Sequence, residues 1–294
     1  MSWKNNRYKA VILLLLLSLI WGSSFILIKW GLKSLTPIQV GAIRILAASI
    51  FLSPLAILKL RQLTKRSALL LLIIGMVGSL GPAFLFAIAQ TAISSSLTGV
   101  LNALTPLFVI IMGAIFFKKR IIPSTAVGIL VGFVGTALLI LGASSEGFGS
   151  FNAYALLVVL ATIMYGVNLN TIKYFLSEID ALTITSVSLL FVGPLAAIVL
   201  FNTDFAVRIS QNPEALEGLF YISLLGVVGT AIALVLFNQM VKITDPVFAS
   251  SVTYLIPIVA IVWGVMDGET LFPIQIVGIA LVLLGVWLAN RGKK

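Results

Sequence analysis

Ten apolar runs recur along this chain, each close to the ~20 residues that a helix needs to cross a bilayer. They lie at 9–29, 37–58, 68–89, 94–117, 123–142, 152–173, 182–201, 217–239, 247–266 and 273–290, and most carry no charge through their centres. In lipid every backbone amide and carbonyl must be satisfied within the fold, which leaves helices or closed barrels. The runs lack the two-residue alternation of barrel strands. The expectation is an all-α polytopic membrane protein of ten transmembrane helices with no soluble domain. Composition agrees. Of 294 residues 60% are hydrophobic and 10% are charged, whereas soluble chains carry about 25% charged residues. Mean hydropathy is +1.17.

The breaks between runs are short and polar. Lys59 to Arg66 is a basic loop, Lys118-Lys119-Arg120 precedes Pro123, and Ser144 to Gly149 is a polar, glycine-rich turn. The long connector is 202–217, with Asp204, Arg208, Pro213 and Glu214. Lys4, Arg7 and Lys9 before Val11–Leu17 look like the start of a signal peptide. The apolar run, however, continues through Trp21 and Phe25 without a small-x-small cleavage site, so a retained first helix is expected.

Ten helices put both termini on one side. If that side is the cytoplasm, 15 of the 19 Lys and Arg residues fall there. The opposite face receives Lys29, Lys33 and Arg208, and Arg44 lies inside helix 2. Lys and Arg loop bias sets membrane orientation, so the chain is expected in the cytoplasmic (inner) membrane with both termini cytoplasmic. The formal charge of +10 is then an insertion signal, and no nucleic-acid partner is expected.

The two halves align. Trp21-Gly22 matches Tyr165-Gly166 and Lys29 matches Lys173, all 144 residues apart. Gly75, Gly78, Ser79, Phe86 and Pro106 match Gly226, Gly229, Thr230, Phe237 and Pro257, 151 apart. Pro123, Gly128 and Gly135 match Pro273, Gly278 and Gly285, 150 apart. The offset changes only in loops. Each repeat, 1–146 and 147–294, holds five helices. An odd number inverts the second copy, the arrangement that gives secondary transporters two equivalent gates around a midplane site.

Further marks are Ile20 to Phe25, Arg44 within Ala42 to Ala48, and Ala92 to Ser96 leading into Leu104-Thr105-Pro106-Leu107. The second-half counterpart is Thr244-Asp245-Pro246 into Leu255 to Ile258, then Gly268-Glu269. Together these marks resemble the drug/metabolite transporter superfamily, EamA type, over essentially the whole chain. One departure stands out: where Glu269 follows helix 9, Lys118 or Lys119 follows helix 4. The resemblance implies export of small metabolites by alternating access. It further implies a cavity between helices 1, 3, 4, 6, 8 and 9, with helices 5 and 10 to the side, in a monomer or homodimer.

Polar side chains deep in lipid are costly and are functional candidates by default. Helix 1 offers Trp21, Ser23 and Ser24, and helix 4 offers Asn102 and Thr105. Helix 6 offers Tyr165, Asn168 and Asn170, and helix 9 offers Thr253, Tyr254 and Trp263. Pro106 and Pro257 are expected hinges, because a mid-helix proline frees the carbonyl four residues back. Those carbonyls belong to Asn102 and Thr253, so these two residues either line a cavity or satisfy the kink. Arg44 either attracts an anionic group or ties the carbonyls of neighbouring helices. Lys29 and Lys173 are gate charges or anchors.

Without His or Cys the chain has no Ser-His triad, thiol nucleophile or zinc-thiolate site, and neither an enzyme nor a metal or cofactor is expected. No carboxylate lies centrally in a run, which points to uniport or exchange. A proton-coupled drug/metabolite antiporter, a channel and a lipid flippase are the alternatives. The sparse neutral lining suits a neutral or zwitterionic, amino-acid-like amphiphile. A polyanion would require several converging cations.

Overall fold

In a computed structural model of the protein, the described residues are 3–61, 63–118, 120–141, 152–243 and 252–291. They form helices, turns and loops, with no strand among them. Helices α1 (Trp3–Gly31) and α2 (Pro37–Leu60) are joined by a tight turn. There Thr36 and Gln39 form a reciprocal capping box around Pro37, each side chain accepting from the other's amide. Helix α3 (Lys65–Ala89) carries a π-helical turn at Met76–Leu80. Helix α4 (Ser95–Phe117) is interrupted at Ala103 and Leu104, just before Pro106. Helices α5 (Pro123–Leu141), α6 (Tyr154–Phe175) and α7 (Ala181–Phe201) follow. A seven-residue helix, Phe205–Gln211, leads into α8 (213–243), which has its own π-helical stretch at Leu225–Ile232. Helices α9 (Val252–Met266) and α10 (Pro273–Arg291) complete the described chain.

Seven of these helices, α1–α4 and α6–α8, are long and apolar enough to cross a membrane, and the protein is a multi-span membrane protein. The other three predicted spans appear as shorter apolar stretches at Pro123–Leu139, Leu255–Met266 and Pro273–Ala289. Residues 247–251 of the predicted ninth run and 142 of the fifth lie outside the described residues. Large apolar side chains stay exposed along the outer helix faces, among them Ile50, Leu58, Phe116, Leu130, Phe201 and Met266. Lipid, not water, suits such a surface.

In lipid the apolar effect between helices is weak, so packing depends on close backbone approach through small residues. The contacts recur between the halves at the offsets read from the sequence. A side chain at Gly22 would collide with Val259, and one at Gly166 with Phe108. A side chain at Gly226 would strike the Arg44 carbonyl, and one at Gly75 the Ser188 carbonyl. Helices α5 and α10 touch most intimately: Gly128 faces Gly285, while Gly135 faces Gly278. Residue numbers rise along α5 as they fall along α10, so these two equivalent helices run antiparallel.

Candidate functional site

Where α1, α2, α3, α4, α6, α8 and α9 converge, they line a cavity of about 260 Å³. Aromatic rings make much of its wall. Trp21 packs on Phe237 with ring centres 5.4 Å apart, and Phe86 stacks on Tyr165 at 6.1 Å.

Both π-helical turns reach this wall, through Gly78 and Ser79 in α3 and Gly229 and Thr230 in α8. A π turn inserts one extra residue into the helix, loosens the hydrogen-bond ladder locally, and is found mostly at functional sites. Here the Gly229 carbonyl accepts from Trp21 Nε1 at 3.0 Å, tying α8 to α1. Thr230 Oγ1 accepts from Arg44 Nε at 3.2 Å. Gly78 lies against the Asn168 carboxamide, and the equivalent Gly229 lies beside Ser24.

The break in α4 has a local cause. Pro106 cannot donate to the carbonyl of Asn102. Thr105 Oγ1 donates to that carbonyl instead, at 2.8 Å. The cavity wall is therefore polar at Thr105 and Asn102, and the buried Asn102 Oδ1 has no partner among the described residues. Asn168 Oδ1 is likewise buried and unpartnered. Pro257 sits inside α9 without interrupting it.

Of the residues singled out by sequence, the cavity wall includes Trp21, Ser24, Asn102, Thr105, Tyr165, Asn168 and Thr253. Arg44 and its neighbour Ile45 are also there, so α2 contributes to a cavity expected to lie between the other helices. Ser23 and Trp263 do not reach it. They are joined to each other, Trp263 Nε1 donating to Ser23 Oγ at 2.8 Å. Asn170 is buried and donates to the Val109 and Gly166 carbonyls at 2.9 and 2.8 Å, which fastens α6 to α4. The side chain of Tyr254 lies outside the described residues.

Next to Ile28 of the cavity wall, three helix ends are clamped together by charges. Lys29 Nζ, in the last turn of α1, lies 2.6 Å from Asp267 Oδ2 and 2.9 Å from Glu269 Oε1. Glu269 Oε1 also accepts from Ser95 N and Oγ at 2.9 and 2.8 Å. Its Oε2 accepts from Ser96 N and Oγ at 3.0 and 2.6 Å. A carboxylate thus caps the first amides of α4, where the helix dipole favours negative charge. Asp267 Oδ1 accepts from Trp30 Nε1 at 2.9 Å, and Trp30 meets Trp263 edge-on at 6.0 Å. Gly268 shapes the turn that presents both acids: its φ of +82° is left-handed, which only glycine adopts freely.

Burial by itself would raise the Glu269 carboxyl. The hydroxyl and amide of Ser96, Lys29 and the amide of Ser95 outweigh burial and hold it below the usual carboxylate range. Bonds from Lys29 and Trp30 hold Asp267 below its ordinary value as well. Both acids are ionised at neutral pH. Sequence alone did not bring this cluster together. The sequence marks the serine run before helix 4 and Gly268-Glu269 after helix 9 separately, with nothing that joins them.

Comparison with known proteins places these features in a family. The model of the EamA-like transporter family matches twice, at residues 8–141 and 152–291. The uncharacterized inner membrane transporter YedA of Escherichia coli K12 is 25% identical over 291 residues, covering 94% of this chain and 89% of that one. A probable terminal-alkyne amino-acid exporter of Streptantibioticus cattleyicolor is 26% identical over 285 residues, covering 96% and 94%. A solved crystal structure that is 16% identical superposes with a TM-score of 0.63, covering 97% of this chain and 99% of that one, and so shares the fold.

Proposed function

The chain belongs to the EamA-like transporter family, and from that premise we propose that it is a secondary transporter of ten membrane helices. Two inverted repeats, 1–146 and 147–294, alternate access to the cavity between them. The exported solute is a small neutral or zwitterionic amphiphile of amino-acid type, and transport is uniport or exchange. The protein sits in the cytoplasmic membrane with both termini inside, so the Lys29 cluster closes the outer face.

The observation that carries this reading is a charged clamp across both halves, one residue beyond Ile28 of the cavity wall. Lys29 and Ser96 belong to the first half and Glu269 to the second. Opening a path there requires the clamp to part while the cavity wall stays in place, which is the geometry of a gate. The recurrence of the same glycine contacts in both halves supports two such gates. The S. cattleyicolor relative, named as an amino-acid exporter, supports the solute class.

The absence of proton coupling rests on charge. The acids of the gate are held ionised well below neutral pH, so neither is poised to take up and release a proton there. Efflux from solute-loaded proteoliposomes tests this. It should proceed equally with and without a pH gradient, and a strict requirement for the gradient would replace uniport or exchange with proton antiport.

A further inference from the structure

Arg44 is a cation in the cavity wall with no acid to match it. It stands seven residues after Pro37 at the start of α2, about 10 Å into the helix at 1.5 Å per residue. No carboxylate lies within ion-pair distance of it among the described residues. Asp267 and Glu269 are held by Lys29, Asp180 lies beside Lys59, and Asp204 is paired with Arg208. Its one hydrogen bond among the described residues uses Nε, to Thr230 Oγ1. The two terminal nitrogens of the guanidinium, the fork that grips a carboxylate, have no partner there.

The backbone contact made at this position does not call for a cation, and the Nε bond to Thr230 leaves the terminal nitrogens of the guanidinium unused. The Arg44 backbone packs on Gly226 as the Ser188 backbone packs on Gly75 in the other half. The scaffold therefore makes the same contact with a neutral serine at the equivalent position. Holding an unpaired charge inside a membrane protein is costly, and such a charge by default serves a ligand or pathway.

We infer that Arg44 receives a carboxylate of the transported solute, so that the cargo is a monocarboxylate or zwitterion rather than a neutral amphiphile. The inference rests on the reading of the cavity as the solute site. The guanidinium presents parallel donors to one carboxylate, a charge-assisted and bidentate bond. The Trp21–Phe237 and Phe86–Tyr165 ring pairs take the apolar remainder. One guanidinium neutralises one negative charge, so phosphorylated solutes are rejected. The volume of about 260 Å³ lies just below the ~300 Å³ at which drug-sized pockets begin, which fits a metabolite. Arg44 is bonded to Thr230 in the π turn of α8, so solute bound at Arg44 is linked through that bond to the π turn.

The test uses the purified full-length protein in nanodiscs. Titration calorimetry compares phenylalanine, leucine and 3-phenylpropionate with phenylalaninamide, leucinamide and 3-phenylpropanamide. The carboxylate members should bind at least about tenfold tighter than their carboxylate-free counterparts. Arg44→Gln should erase that advantage, and Arg44→Lys should keep part of it, since Lys offers charge without the fork. Equal binding of acid and amide by the unaltered protein would overturn the inference. So would failure of every carboxylate to bind, or an equal loss of acid and amide in Arg44→Gln. The comparison within the unaltered protein stands even if the variants misfold. Counterflow separates the two readings. Acids and amides exchanged alike would sink the role of Arg44 and leave the transporter. Acid-selective binding without any counterflow would do the reverse.

Discussion

Glu269 and Ser96 are joined twice, by the serine amide and by its hydroxyl, both to Oε2, at 3.0 and 2.6 Å. The two residues come from opposite halves of the chain and meet at the start of α4. The same carboxylate holds Lys29 through its other oxygen. One side chain therefore couples α1, α4 and the end of α9, and in the proposed transporter the gate would open only when that side chain leaves its seat.

Glu269→Gln keeps the size of the side chain but removes the charge and one acceptor. The bonds to Ser96 or to Lys29 must then be surrendered. Loss of a charge-assisted bond costs about 1–3 kcal/mol, and here the cost falls on the closed state. The chain has no cysteine, so a single Ile28→Cys, in the cavity wall near this gate, reports on opening. Its labelling by an impermeant thiol reagent added from outside should accelerate about tenfold or more in the Glu269→Gln background.

The same gate should respond to acid, with a definite sign. Both Glu269 and Asp267 are held below their ordinary values in the closed state. A depressed carboxylate stabilises the state that holds it at all pH above its free value, about 4. That contribution is lost as pH falls through the depressed value. Spin labels at the exposed positions Thr91 and Ser210, in different halves, read the opening by pulsed dipolar spectroscopy. The distance distribution should be unchanged from pH 8 to about 5, and a longer component should grow below about pH 4.

Helices α5 and α10 are a different case, because they form no part of the cavity wall. Gly135 faces backbone atoms of Gly278 and Val282. A side chain there forces the helices apart, and overpacking of this kind costs about 1–3 kcal/mol or more. Gly135→Leu should lower the melting temperature of the purified protein while leaving the KM for transported solute unchanged.

Orientation yields a separate expectation. A green fluorescent protein fused after Lys294 should fluoresce, and alkaline phosphatase at that position should be inactive. Phosphatase inserted in the connector near Ser210 should be active. The reverse pattern would invert the membrane orientation and place the Lys29 gate on the inner face.

The sequence carried the helical class and seven of the spans directly, because a run of about 20 apolar residues has few other uses. It also carried the glycine correspondences, since close helix approach leaves no choice of residue at positions such as Gly22 and Gly166. Partner choice was hidden. In a membrane protein most helix faces are apolar, so periodicity does not say which face meets which neighbour. Lys29 and Glu269 lie 240 positions apart, and only the folded arrangement brings them together. The π turns at Met76–Leu80 and Leu225–Ile232 are likewise absent from the sequence reading. Asn170 shows the converse. It looked like a cavity residue and instead spends its amide on two carbonyls, a use that no local pattern distinguishes from ligand binding.

Solute counterflow tests the central claim most directly. Proteoliposomes holding the full-length protein are loaded with millimolar unlabelled leucine or phenylalanine and diluted into trace labelled solute, with no ion or pH gradient. A carrier that alternates access should accumulate label transiently above equilibrium, with a saturable initial rate, and Glu269→Gln should alter that rate. Linear, unsaturable entry without an overshoot, or single-channel currents from the same protein, would contradict alternating access.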